Sequence, residues 1–273
     1  MNTQFLCIIG LGHMGSGIAD IIIEKGIWPL KNLILCDLLP QQLKHFENRG
    51  PLTLTTKTQA AVQKSQIVLL SIRPQEMKPV LTGMQDIFRN DALLVSVAAG
   101  ITVRQIGDWS RCQKIIRAMP NLPARLGYGM TGWTATPQVT KMQRCHFQRI
   151  VGQLGVDMYF AEENFLNVIT ALSGSGPMYF AYITSELAKI GVKMGLTLQE
   201  AQTITKQTLL GASMMLTYHQ LDPGEFVGQV ASRGGTTEQA LIIFEKQGLG
   251  RIIENAVQSA YHHAISTLPS SPD

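Results

Sequence analysis

Phe5-Leu6-Cys7-Ile8-Ile9-Gly10-Leu11-Gly12-His13-Met14-Gly15 runs from an apolar segment of strand length into three glycines, and Ile18, Ile21 and Ile22 then recur at helical spacing before Gly26. Strand, glycine turn and helix in that order match the Gly-x-Gly-x-x-Gly fingerprint of dinucleotide-binding folds. Each glycine has its own task. Gly10 permits the tight turn, Gly12 lets the backbone approach a pyrophosphate, and Gly15 lets the helix lie close on the strand. The helix start adds unpaired N–H groups and a partial positive charge facing the phosphates. Similar glycines also occur in plain turns. The buried-type strand before them and the helix after them favour the cofactor, so Gly10, Leu11, Gly12, His13, Met14 and Gly15 are assigned to NADPH or NADH.

The next buried strand, Leu33-Ile34-Leu35-Cys36, ends at Asp37. An acid there hydrogen-bonds the adenosine ribose and repels a 2′-phosphate, which favours NAD. Equally, Asp37 opens a turn, and nearby Lys44 and Arg49 suit a 2′-phosphate, so the choice between NAD and NADP stays open. A short strand at residues 53–55 and a helix at 59–64 follow. Ile67-Val68-Leu69-Leu70-Ser71 then leads into Ile72-Arg73-Pro74-Gln75, where Pro74 suits a helix start. Ligands sit at such carboxyl edges of open α/β sheets, so these four residues join the cofactor set. Leu93-Leu94-Val95-Ser96-Val97 precedes Ala98-Ala99-Gly100, small residues that admit a flat nicotinamide ring or simply pack tightly. Lys114–Met119 is a sixth strand, closing at Pro120-Asn121, and further strands at 128–134 and 156–160 flank a helix at 137–154. The alternation predicts a Rossmann-type, mostly parallel, doubly wound α/β sheet covered on both faces over residues 1–161.

From Glu162 the apolar period is helical. Helices are expected at 163–172, 177–194, 198–218, 223–230, 236–247 and 251–266, giving an all-helical domain over 162–273 with a frayed tail. Two polar, glycine-bearing interruptions break the run: Ser173-Gly174-Ser175-Gly176-Pro177 and Ser232-Arg233-Gly234-Gly235-Thr236-Thr237.

The 273 residues carry 45% hydrophobic and only 15% charged side chains. That low charged share leaves apolar surface for a subunit interface. A net charge of +4 without a basic block argues against nucleic acid and suits an anionic cofactor or carboxylate substrate. Cys7, Cys36, Cys112 and Cys145 lack metal-ligand spacing and read as reduced, structural residues; no metal is expected. No window approaches the roughly 20 apolar residues of a membrane span, and no leader pattern opens the chain, so a cytoplasmic protein is expected.

Gly234-Gly235-Thr236-Thr237 before an amphipathic helix is the second place for chemistry. Backbone N–H groups at a helix start hold a carboxylate as they hold phosphate, and two hydroxyls add donors. A threonine cap alone explains most such sequences, yet two glycines and two threonines exceed what a cap requires.

Taken together, Gly10–Gly15, Ile72-Arg73-Pro74-Gln75, Ser96–Gly100, Arg117-Ala118-Met119-Pro120-Asn121, Thr170–Pro177 and Ser232–Thr237 make the chain similar, nearly end to end, to the pyrroline-5-carboxylate reductases. That resemblance implies an N-terminal NAD(P)H-binding Rossmann domain and a C-terminal helical domain that interlocks with a second subunit, with dimers often assembling into a decamer. It implies a substrate site at Ser232, Gly234, Gly235, Thr236 and Thr237, with Thr237 as the catalytic hydroxyl facing the ring nitrogen. It also places Asn121, Ala98 and Ala99 beside the cofactor. The implied reaction is hydride transfer to a cyclic imine, which needs orientation rather than a nucleophile or metal. His219, His262 and His263 receive no catalytic task. Arg233 stands where proline is usual, Leu122 where threonine, Arg73 where lysine, His13 where asparagine, and Asn167 where an acid. Two alternatives remain: a reductase of another cyclic imine acid or of a hydroxy acid, the latter with Lys189 or Lys193 as its lysine, and an idle dinucleotide-binding regulator.

Overall fold

In the computed structural model, which describes residues 4–266, the opening apolar segment forms β1 (Leu6–Ile9), buried throughout. Its side chains alternate between two cores. Leu6 and Ile8 enter one hydrophobic cluster, Cys7 and Ile9 the other. The same alternation runs through β2 (Leu33–Cys36) and, beyond a short β3 (Thr53–Thr55), through β4 (Ile67–Leu70) and β5 (Leu93–Ser96). Strands apolar on both faces belong inside a sheet covered on both sides.

With β6 (Ile115–Pro120), β7 (Gly129–Ala135) and β8 (Gly155–Tyr159) the sheet has eight strands in the order β3-β2-β1-β4-β5-β6-β7-β8. All neighbours are parallel except β6 and β7. The strand order reverses between β1 and β4, which puts a ligand crevice at their carboxyl ends. The first core is closed by α1 (His13–Glu24) through Ile18 and Ile22, by Leu43 of the short α2 (Pro40–Leu43), and by Phe147 and Ile150 farther on. The second is closed by α3 (Thr58–Lys64), α4 (Pro74–Thr82) and α5 (Val103–Ser110) through Val62, Met77, Leu81 and Ile106. Helix α6 (Lys141–Val151) starts four residues later than the spacing predicts. Thr140 accepts the Gln143 N–H and Gln143 reaches back to Thr140, a reciprocal cap that fixes the start.

Helix α7 (Phe165–Ile169) runs into a π-turn at Thr170–Gly174, and α8 (Gly176–Lys193) follows with no loop between. The expected Ser173–Pro177 interruption is therefore a widened helical turn. Pro177 has no N–H to give to the carbonyl four residues before it, and the Ser173 carbonyl is taken instead by the Asn121 amide at 3.2 Å.

Strand gives way to helix between Tyr159 and Phe165, yet the first compact unit extends to Ser175 and includes residues 260–266. Residues 176–259 form the second unit. The boundary expected after residue 161 thus marks the change of secondary structure, not the edge of the compact body. Helix α7 stays with the sheet because Gly132 on β7 leaves space for Ile169; a Cβ there would lie 2.9 Å from it.

The second unit is a hairpin of α8 and α9 (Leu198–Tyr218), then α10 (Pro223–Val230), α11 (Thr236–Lys246) and the first part of α12 (Leu249–Ser266). Thr197 and Glu200 cap α9 reciprocally, and Asp222 caps α10 before Pro223. No residue of α10, α11 or α12 is buried. No helix among the described residues is long and apolar enough to cross a membrane.

Candidate functional site

The glycine turn is built as its spacing predicts. Gly10 has φ +88°, and a Cβ there would sit 2.5 Å from the Ser71 carbonyl oxygen; at Gly15 a Cβ would sit 1.9 Å from the Gly10 carbonyl oxygen. Neither position admits another residue without moving β1, β4 or α1. Gly12 is different. A Cβ there would meet no atom within 4 Å, so the backbone is open on the side where a pyrophosphate has to approach.

Asp37 takes the turn role foreseen for it and adds one that was not foreseen. Its Oδ1 accepts the Leu39 N–H at 2.9 Å, opening a turn, while Oδ2 accepts the Leu11 N–H at 2.7 Å and braces the glycine loop. Gly10, Gly12, Asp37, Ile72 and Arg73 line one cleft of about 560 Å³ at the carboxyl edge of β1 and β4. Gln42, Thr58 and Glu76 also line it, and the sequence reading missed them. Only Glu76 had a signal: an acid in the first turn after Pro74. Glu76 pairs with the Arg73 guanidinium, which holds its carboxyl below the usual range, and it accepts the Arg73 N–H at 3.2 Å. Arg73 is thereby tethered at the start of α4.

A second cleft, of about 590 Å³, takes Pro74, Gln75 and Ala99 from the cofactor set. Gly100 and Ile101 also line it, with Thr170 of the π-turn, Ser175 just after it, and His263. Ser175 belongs to the Ser173–Pro177 interruption, which carried no site assignment in the sequence, and His263 was given no catalytic task.

The remaining assigned residues line neither cleft. Leu11 is buried, His13 is exposed at the first position of α1, and Met14 packs on the first core. Ala98 is buried and donates its N–H to Ser96 Oγ at 3.2 Å. The Asn121 amide is spent internally: it donates to Ser173 and accepts the Met130 N–H at 2.9 Å. Cys7, Cys36 and Cys112 have thiol pKa values raised by burial, which keeps them protonated and unreactive. Among the described residues no His/Cys/Asp/Glu group is arranged to hold a metal.

In the second unit, Ser232–Gly235 turns the chain into α11. Gly234 has φ +77°, the Gly235 N–H donates to the Ser232 carbonyl at 2.9 Å, and the Gly234 N–H donates to Glu238 at 2.7 Å. Gly235 is the cap residue, and no side chain caps the helix. Thr236 and Thr237 are exposed, with hydroxyls that have no hydrogen-bond partner among the described residues. The structure thus supplies two sets of donors, an open glycine turn and a hydroxyl-bearing helix start, each suited to an anion.

A family model for pyrroline-5-carboxylate reductase dimerisation matches residues 163–267, and one for NADP oxidoreductase, coenzyme F420-dependent, matches residues 6–100. A pyrroline-5-carboxylate reductase of Pisum sativum is 33% identical over 259 residues, covering 95% of this chain and 94% of its own. That of Pseudomonas aeruginosa is 30% identical, with 95% of each chain covered. Among solved structures, the pyrroline-5-carboxylate reductase of Coxiella burnetii superposes with a TM-score of 0.91 at 29% identity, over 98% of this chain and 100% of its own. A Plasmodium falciparum pyrroline carboxylate reductase with NADP bound gives 0.86 at 23% identity, over 98% and 100%, and shares the fold.

Proposed function

The chain belongs to the pyrroline-5-carboxylate reductase family, and from that premise we propose that it reduces 1-pyrroline-5-carboxylate to L-proline, the last step of proline synthesis, with NADPH or NADH. The observation that carries the reading is the start of α11, where the Thr236 and Thr237 hydroxyls stand exposed without an internal partner. A cyclic imine acid presents a carboxylate and a ring nitrogen, and those hydroxyls with the helix start match both.

The residues of the first cleft suit the adenosine and pyrophosphate half of the cofactor. Gly12 leaves room for the pyrophosphate, the start of α1 supplies donors, and Asp37 stands at the ribose position. Ala99, Gly100 and Gln75 of the second cleft suit the nicotinamide half and the substrate. When bound, the reduced nicotinamide supplies the hydride. The protein's part is orientation: the α11 start and Ser232 suit the carboxylate, and Thr237 suits the ring nitrogen of the protonated imine. The exposed apolar faces of α8 to α12 support a homodimer through the helical unit, with larger assemblies built from dimers.

The hydroxy-acid alternative is weaker. Lys189 is paired with Glu186 at 2.6 Å on its own helix, and both Lys189 and Lys193 follow a Ser-Gly-Ser-Gly-Pro segment rather than the hydroxy-acid dehydrogenase pattern. One assay decides among the readings: purified protein with NADPH or NADH and pyrroline-5-carboxylate, followed at the nicotinamide absorbance. Turnover is expected, and Thr237→Ala is expected to lower kcat by about 10²-fold while leaving cofactor affinity unchanged. Turnover only with other acids would replace the substrate, and cofactor binding without turnover would favour a regulator.

A further inference from the structure

Arg117 is a charge inside the sheet. It lies on β6 between Ser96 of β5 and Thr134 of β7, with 4% of its side chain exposed. Its Nη1 donates to Glu163 Oε1 at 2.7 Å, and the Val103 N–H donates to the same oxygen at 2.8 Å. Glu163 stands between β8 and α7, and Val103 is the first residue of α5. One carboxylate oxygen therefore joins three segments that are far apart in the sequence.

The chemistry suits a permanent tie. A buried guanidinium without a partner is strongly unfavourable, so Arg117 keeps Glu163 in place. The Val103 N–H is one of the donors that a helix start leaves unpaired, and a carboxylate there also favours the helix dipole. Thr102 and Gln105 satisfy each other in the adjoining cap, so Glu163 completes the first turn of α5.

Both segments joined to Arg117 lead into the second cleft. Ala99, Gly100 and Ile101 immediately precede the cap of α5, and α7 carries the chain from Glu163 to Thr170 and Ser175. Neither Arg117 nor Glu163 lines the cleft. We propose that the Arg117–Glu163 pair is a positioning device for hydride transfer, setting the separation of the two cleft walls through Val103 and α7. This rests on the reading that the second cleft receives the nicotinamide and the imine. A displacement of about 1 Å at reacting atoms is enough to cost about 10²-fold in rate.

The test uses the full-length protein with Glu163→Gln and with Arg117→Met/Glu163→Met, which replaces the ion pair by apolar side chains of similar length and so preserves folding if the single variant does not. The double variant is expected to keep dinucleotide affinity while losing about tenfold or more in kcat/KM for the imine. Faster hydrogen exchange is expected at residues 99–103 and 166–175. A double variant that folds and recovers the wild-type kcat/KM would show that the pair only stabilises the sheet and would overturn the proposal. If the wild-type protein does not reduce the imine, the assigned reaction falls. Hydrogen exchange with dinucleotide bound then decides the positioning role by itself, and unchanged exchange at both segments overturns it.

Discussion

At Gly12 folding and binding make separate demands. Gly10 and Gly15 are required by the fold, since any side chain there would collide with backbone, whereas a Cβ at Gly12 would meet nothing within 4 Å. Gly12→Ala is therefore expected to leave thermal stability within about 0.5 kcal/mol of wild type. The same methyl group stands where the pyrophosphate must approach, so the cofactor KM should rise by about tenfold or more. Paired thermal unfolding and steady-state kinetics check both halves, and a large loss of stability would assign Gly12 to the fold. Asp37 and Asn121 teach the complementary lesson. Their types and places were plain in the sequence, but the hydrogen bonds that occupy them come from Leu11, Leu39, Met130 and Ser173.

The elements differ in how locally they are specified. Helices α9 and α10 keep the bounds expected from spacing because Thr197 and Asp222 cap them from adjacent positions. The π-turn at Thr170–Gly174 depends on a distant partner, Asn121, and no local pattern reveals it. Helix α6 offers a test of packing against titration. Its His146 meets the Trp28 ring edge-on at 5.7 Å, and its buried Nδ1 has no hydrogen-bond partner among the described residues. Burial, and then Arg149, lowers its pKa below the ordinary 6.5. The unfolded chain then takes up the proton more readily than the folded one. The contribution of His146 is thus full above that ordinary value and is lost as pH falls through it towards the depressed one. Urea midpoints measured between about pH 7.5 and about pH 5.5 should fall in the wild type and fall less in His146→Leu. Equal slopes would remove His146 from the acid limb.

For the whole molecule, the two units are unequal in how they close. The sheet has a core on each face, whereas α8 and α9 bury only Gly176, Ala188 and Ala201, and the later helices bury nothing. Phe180, Tyr182, Leu210, Phe244 and Ile252 are each at least half exposed. Apolar surface on that scale is characteristic of an interaction face, and the match to the dimerisation family over residues 163–267 fits it. Analytical ultracentrifugation should find the wild-type protein as a dimer or larger. Leu210→Asp should shift it towards monomer with a loss of turnover, and a monomeric, active wild type would refute the interface.

The amino-acid sequence by itself determined the strands, the glycine turn, helices α9 and α10 and the loop before α11, because each follows from apolar period, glycine spacing or a cap within a few residues. The antiparallel pairing of β6 with β7, the continuous π-turn, the bond from Leu11 to Asp37, and the meeting of Arg117, Glu163 and Val103 were decided only by tertiary structure. The physical reason is range. Backbone propensity and periodicity act between near neighbours, while a buried charge or amide takes whichever partner the completed sheet brings within hydrogen-bond distance.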